Sequence, residues 1–131
     1  MTHHTRVGVM RGGTSNEHEV SVNSGANVLR SLRDNFGHTY AARDIFIDKK
    51  GSWHIDGVVV APDHISTKID VIFNALHGAF GEDGKIQAFL ESHGIPFTGS
   101  GSLGSAMGMN KALSKRVFRD HGIMTPYSEE L

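Results

Sequence analysis

The sequence predicts an α/β domain, a mostly parallel sheet flanked by helices. Three observations predict it. Short apolar runs, such as VGVM at 7–10 and IDVIFNAL at 69–76, each lead into a Gly-rich turn. Segments with apolar residues at helical spacing follow those turns. The two kinds of segment alternate along 131 residues, close to the commonest length of a single domain.

Arg6 to Met10 reads as a buried strand ending at Gly12-Gly13. Asn16 with Glu19 three residues on fits a capping box. Val22, Ala26, Leu29, Leu32 and Phe36 then predict a helix to about Asn35, closed by Gly37. Thr39 to Ile47 reads as a second strand. Asp48-Lys49-Lys50-Gly51 is a turn, after which Ser52 to Ile55 pairs back as a hairpin. Ile69 to Leu76 is the most apolar strand, and HGAFGEDG follows it. A helix containing Ile86, Gln87, Phe89 and Leu90 closes at Gly94, and Ile95-Pro96-Phe97 is a short strand. Ser100-Gly101 leads into a small helix over Leu103 to Met107. Asn110 caps a last helix through Leu113, Val117 and Phe118, stopped at Gly122. The closing TPYSEEL reads as the start of a linker.

Composition removes several function classes. Thirteen basic and 14 acidic residues are interspersed, for a formal net charge of −1, so no basic face announces nucleic acid. The absence of cysteine excludes a disulfide scaffold, a thiol nucleophile and a zinc–thiolate centre, and fits a reducing cytoplasm. No apolar run approaches the roughly 18 residues of a membrane helix. The start, MTHHTRVGVM, has no long apolar stretch of the signal-peptide kind. Nine histidines are scattered without an HExxH pair, and no metal site is expected.

In an open parallel sheet, ligands sit beyond the carboxyl ends of the strands. Both polar loops, 12–19 and 77–84, follow strands and are expected on one edge. Gly12-Gly13 lacks the G-x-G-x-x-G spacing of a dinucleotide site, and its ordinary reading is a tight turn needing positive φ. Acids in this turn argue against phosphate. A carboxylate at a helix N-terminus is stabilised by about 0.3–1 kcal/mol and would repel a bound phosphate. It suits an ammonium group instead. Glu19 holds the capping position, which leaves Glu17 as the ligand candidate against the commoner fate of a solvated first-turn acid. His77, ending the apolar strand, is either a satisfied structural residue or a donor to a ligand carboxylate. Glu82 and Asp83 are either paired acids or, for Asp83, an N-cap, which is the favoured reading.

The blocks GGTSNEHEVSVNSG, ALHGAFGEDGKIQAFLESHGIPFTGSG and SAMGMNKALSKRVFRDHGIMTP resemble, in order, the N-terminal part of D-alanine–D-alanine ligases of the ATP-grasp superfamily. They cover about half the chain; residues 38–68 carry little of the resemblance. It implies a Rossmann-like (pre-ATP-grasp) fold over 1–122 that binds the first D-alanine, with 123–131 opening a linker to ATP-grasp domains absent from the sequence. It implies that Glu17 holds the ammonium of D-alanine, that Val20 lines a methyl pocket, that His77 lies near the substrate carboxylate and reacting phosphate, and that Lys111 reaches ATP phosphates. ATP and magnesium serve the whole enzyme, in which the first D-alanine becomes an acyl phosphate and a second D-alanine attacks it. Peptidoglycan precursor synthesis in the cytoplasm, and a homodimer, are the further implications. Arg11 stands where the family has a small or apolar residue, and Asn110 where it commonly has Asp. The magnesium carboxylates, the ATP-clamping lysines and the second substrate site are not in these 131 residues, so the chain alone is expected to be inactive.

Three alternatives remain at this point. One is a non-catalytic binding or dimerisation module that keeps the fold. Another is a D-alanine–D-lactate or D-alanine–D-serine ligase. The third, a nucleotide-binding Rossmann module, is weakened by the missing fingerprint and by the acid in the loop.

Overall fold

The computed structural model describes residues 4–127. The elements are β1 (Thr5–Gly12), α1 (His18–Phe36), β2 (Tyr40–Ile47), β3 (Trp53–Ile55), β4 (Val58–Val60), a 3-10 helix (Pro62–Thr67), β5 (Val71–Asn74), α2 (Lys85–Ser92), α3 (Ser102–Met109) and α4 (Lys111–Asp120). The five strands form one sheet in the order β4-β3-β2-β1-β5. β1 runs parallel to both β2 and β5, and Phe97 adds a single parallel bridge to Ile72. β3 and β4 are antiparallel additions to the β2 edge. The α/β class is as expected, with β2, β1 and β5 parallel on one side of the sheet and the antiparallel β3 and β4 on the other.

Alternation along β1 sets the two layers. Val9 packs with Leu29 of α1 and with Ala75. Met10 packs on the other face with Ile45 and Ile72, with Ile65 of the 3-10 helix, and with Ile86 and Leu90 of α2. α1 thus covers one face, and α2 with the 3-10 helix covers the other.

The buried stripe of α1 is His18, Ser21, Gly25 and Leu29, one position off the expected Val22–Ala26 register. Small residues win this face because the helix lies close to β1. A Cβ on Gly25 would come within 2.5 Å of the Arg11 side chain. Arg11 itself bonds Asp44 through Nε and Nη2, each at 2.8 Å, and donates to the Val22 carbonyl. A long cation therefore replaces a small residue before the glycines without disturbing the turn. Phe36, counted into the apolar face from its spacing, is 49% exposed.

The capping box is corrected. Asn16 does not cap α1: the chain makes one more turn, with His18 N–H donating to the Ser15 carbonyl, and Glu17 stands at the N-cap without a side-chain cap bond. Gly37 is the C-cap residue, in a right-handed conformation. The Asn110 cap holds, with Oδ1 accepting from Leu113 N–H at 3.0 Å. Two elements escaped the sequence reading. β4 follows an Asp56-Gly57 turn with φ of 49° and 87°, the conformation that Asp-Gly favours between hairpin strands. The other is the 3-10 helix that Pro62 starts.

Candidate functional site

β1 leads through α1 to β2 on one side, while β5 lies on the other side of β1. The strand order therefore reverses between β1 and β5, and a crevice opens there beyond their carboxyl ends. The two polar loops, 12–19 and 77–84, were both expected at one edge and do meet.

Serine hydroxyls join them. Ser21 Oγ accepts from Gly12 N–H at 2.9 Å and donates to the Ala75 carbonyl at 2.7 Å, tying the end of β1 to the end of β5. Ser15 Oγ donates to the His77 carbonyl at 2.8 Å and accepts from Glu17 N–H at 3.1 Å. Gly12 and Gly13 take φ of 94° and 91°, the tight turn expected of them, and a Cβ on Gly12 would collide with the Ile47 carbonyl. None of these serines stood out in the sequence. Their bonds span separations as long as 62 residues, and no local pattern encodes that.

Glu17 is exposed, and its carboxylate makes no hydrogen bond or ion pair among the described residues. It lies against Gly78: a Cβ there would sit 2.5 Å from Glu17 Oε2. Glu17, Gly78 and Ser15 line a hollow of about 430 Å³. Glu19, by contrast, faces Lys49 at 3.5 Å. The inference that Glu17 is the free acid survives, but for a different reason than capping.

His77 is half-buried with both ring nitrogens engaged. Nε2 lies 3.1 Å from Ser24 Oγ, and Nδ1 lies 3.5 Å from Glu82 Oε1. With its proton on Nδ1 the ring turns an N–H toward the Glu82 carboxylate and accepts from Ser24 at Nε2. His77 and Glu82 line a second hollow of about 480 Å³, which reaches across to Ser105 and Met109 of α3. Val20 is 56% exposed. It sits three residues after Glu17 and four before Ser24, so all three share one helical face.

Asp83 takes the structural part. Its Oδ2 accepts from Phe80 N–H and its Oδ1 from Lys85 N–H, while Gly84 is the N-cap of α2. Burial raises the Asp83 carboxyl. The two backbone bonds and the Lys85 charge outweigh that and hold it below the ordinary carboxylate range. Asp83 is thus committed to shaping the loop, which leaves Glu82 as the acid that faces the crevice.

Lys111 is the first residue of α4, exposed, and without a side-chain partner among the described residues. The structure does not bring it into either hollow. Among the described residues no three His, Asp or Glu side chains gather where a metal ion could sit, and no helix is long and apolar enough to cross a membrane.

A doubly covered sheet with a polar crevice at its switch point is a small-ligand-binding α/β architecture. The comparisons make this specific. The family described as D-ala D-ala ligase N-terminus matches residues 6–67 and 56–100, and the chain belongs to that family. A D-alanine--D-alanine ligase of Anaeromyxobacter sp. (strain K) is 45% identical over 118 residues, 90% of this chain and 34% of that protein. Another, from Prochlorococcus marinus (strain NATL2A), is 40% identical over 142 residues, 92% of this chain and 41% of that protein. The chain therefore spans between a third and two-fifths of the length of these curated relatives. Among solved structures, the D-alanine-D-alanine ligase of Aeromonas hydrophila superposes with a TM-score of 0.80 at 27% identity, over 95% of this chain and 50% of that one. The VanG D-Ala:D-Ser ligase of Enterococcus faecalis gives 0.79 at 26% identity, over 95% and 44%.

Proposed function

We propose that this chain is the first-substrate domain of an ATP-dependent D-alanine–D-alanine ligase, with residues 1–122 as the domain and 123–131 as the start of a linker. Residues 128–131 of that linker lie outside the described residues. The observation that carries the reading is the unpaired Glu17 carboxylate, held at the crevice mouth against Gly78. An exposed acid with no protein partner can exchange water for a ligand ammonium at little cost, and the bond so formed is charge-assisted. Val20, on the same helical face, offers a small apolar contact for a methyl group. His77, one residue before Gly78, brings an imidazole to the carboxylate end of a bound amino acid. Its ring nitrogens must leave Ser24 or Glu82 to make that contact.

ATP, when bound with magnesium, activates the substrate carboxylate for attack by the second amine. Lys111, an unpartnered cation at the start of a helix, fits a phosphate contact. No set of described residues fits the magnesium, whose ligands belong to the domains that the curated relatives' extra length would supply. Those domains are the proposed partners, together with D-alanine and a second copy of the chain. On this reading the chain alone has no ligase activity, and the whole enzyme works in the cytoplasm on peptidoglycan precursors. Choice of the second substrate, D-alanine, D-lactate or D-serine, lies outside this domain.

Replacement of Glu17 by Gln keeps the shape and removes the counter-charge. The Glu17→Gln chain is expected to bind D-alanine at least about tenfold more weakly, the cost of one charged hydrogen bond. Calorimetric or NMR titration reads it, and equal affinity of the two proteins would overturn the assignment.

A further inference from the structure

The loop that presents His77 and Glu82 is held by two amides, Gln87 buried and Asn74 partly buried. Asn74 Nδ2 donates to the Gly81 carbonyl at 3.0 Å, while its Oδ1 accepts from Leu76 N–H at 3.1 Å. Gln87, only 4% exposed, donates Nε2–H to the same Gly81 carbonyl at 2.9 Å. Both lone pairs of that carbonyl are therefore used, and the orientation of each amide is fixed, because a carbonyl can only accept. Gly81 packs closely on Leu76, and a Cβ on it would collide with that side chain. Glu82, the next residue, donates its N–H to the Gly78 carbonyl at 3.0 Å and reaches His77 Nδ1 with its carboxylate.

Gln87 Oε1 is buried without a hydrogen-bond partner among the described residues. A half-satisfied buried amide is a poor device for stability, since an apolar side chain of the same length would bury as much surface without an orphaned acceptor. What this side chain contributes is its one donated bond.

We propose that Gln87 and Asn74 are positioning residues, whose joint clamp on the Gly81 carbonyl sets Glu82 against His77 Nδ1 and so holds the ring proton on Nδ1, the nitrogen that can then donate to a ligand carboxylate. The inference rests on the reading of this loop as a ligand-facing one. Its test needs no ligand, so the two can fail separately.

The experiment is long-range proton–nitrogen NMR of the neutral His77 ring in this chain, with thermal unfolding alongside. In the wild type the ring is expected as the Nδ1–H tautomer. In Gln87→Met the melting temperature is expected to stay or rise, while the His77 ring shifts toward the Nε2–H tautomer and the amide resonances of Gly81 and Glu82 move. Should Gln87→Met fail to fold, Asn74→Ala, which removes the other half of the clamp, gives the same readout and must produce the same tautomer shift. An Nε2–H ring in the wild type overturns the proposal, as does a wild-type tautomer retained in either variant.

Discussion

Residues 5–98 and residues 102–127 handle apolar surface in opposite ways. Every buried hydrophobic side chain among the described residues lies between Val7 and Ile95. α3 and α4 contain no buried residue, and around them Leu103, Met109, Phe118, Ile123 and Met124 stand exposed, Met124 at 95%. Polar ties hold this second region. Glu91 accepts from both the N–H and the hydroxyl of Ser102, Asn110 caps α4, Ser114 bonds the Met107 carbonyl, and Lys115 reaches the Pro126 carbonyl. The first region has a core that specifies its own fold. The second, among the described residues, leaves most of its large apolar side chains exposed. That difference supports the proposal that further domains of a longer protein abut α3, α4 and the residues after them.

The largest expected effect separates the two regions directly. Ile72→Ala, on β5 and fully buried in the core, should cost about 2–5 kcal/mol of stability because it opens a cavity in a packed core. Phe118→Ala, at a side chain 43% exposed, should stay within about 0.5 kcal/mol. Urea unfolding of the two variants reads the contrast, and comparable losses would mean that the C-terminal helices share the core after all.

A smaller effect sharpens the comparison through pH. The backbone and side-chain bonds from Ser102 hold the Glu91 carboxyl below its ordinary value, against a weaker opposing effect of burial. A lowered folded-state pKa means that the unfolded chain takes up the proton first. The stabilisation is therefore present above the unfolded value, about 4.3, and is lost as pH falls through the folded one. Since Glu91 joins α2 to α3, acidification below about pH 4 should speed amide exchange in α3 before it affects β1 or β5. Simultaneous loss of protection in both regions would contradict the idea that the Glu91 bonds to Ser102 hold α3 in place.

How much of this was legible in the sequence follows the same divide. β1, α1, β2 and β5 were visible because their apolar runs are local and end on glycines. The Gly12-Gly13 turn and the Asn110 cap were legible for the same reason. The start of α1 was misplaced because Asn16 and Glu19 have capping-box spacing, while Ser15 supplies the turn and then bonds a carbonyl 62 residues away. β4 was missed although Asp56-Gly57 marked its turn, because three valines in a row carry no alternation to read. At the site, Glu17 was singled out by assigning Glu19 to a capping box that the fold does not form, and it is the charge at the turn that the structure leaves unpaired. Ser15, Ser21, Ser24 and Asn74 act only through contacts that the fold creates, and single polar residues inside regular elements announce nothing by themselves.

The central claim is that Glu17 waits for an ammonium group at a crevice between β1 and β5. It is tested most directly by an amide-resolved NMR titration of this chain with D-alanine and, separately, with L-alanine. The account predicts saturable shifts at Glu17, Val20, His77 and Gly78 with the D isomer, and much weaker ones with the L isomer. Equal responses to both isomers, or shifts that gather on α3 and α4 instead, would contradict it.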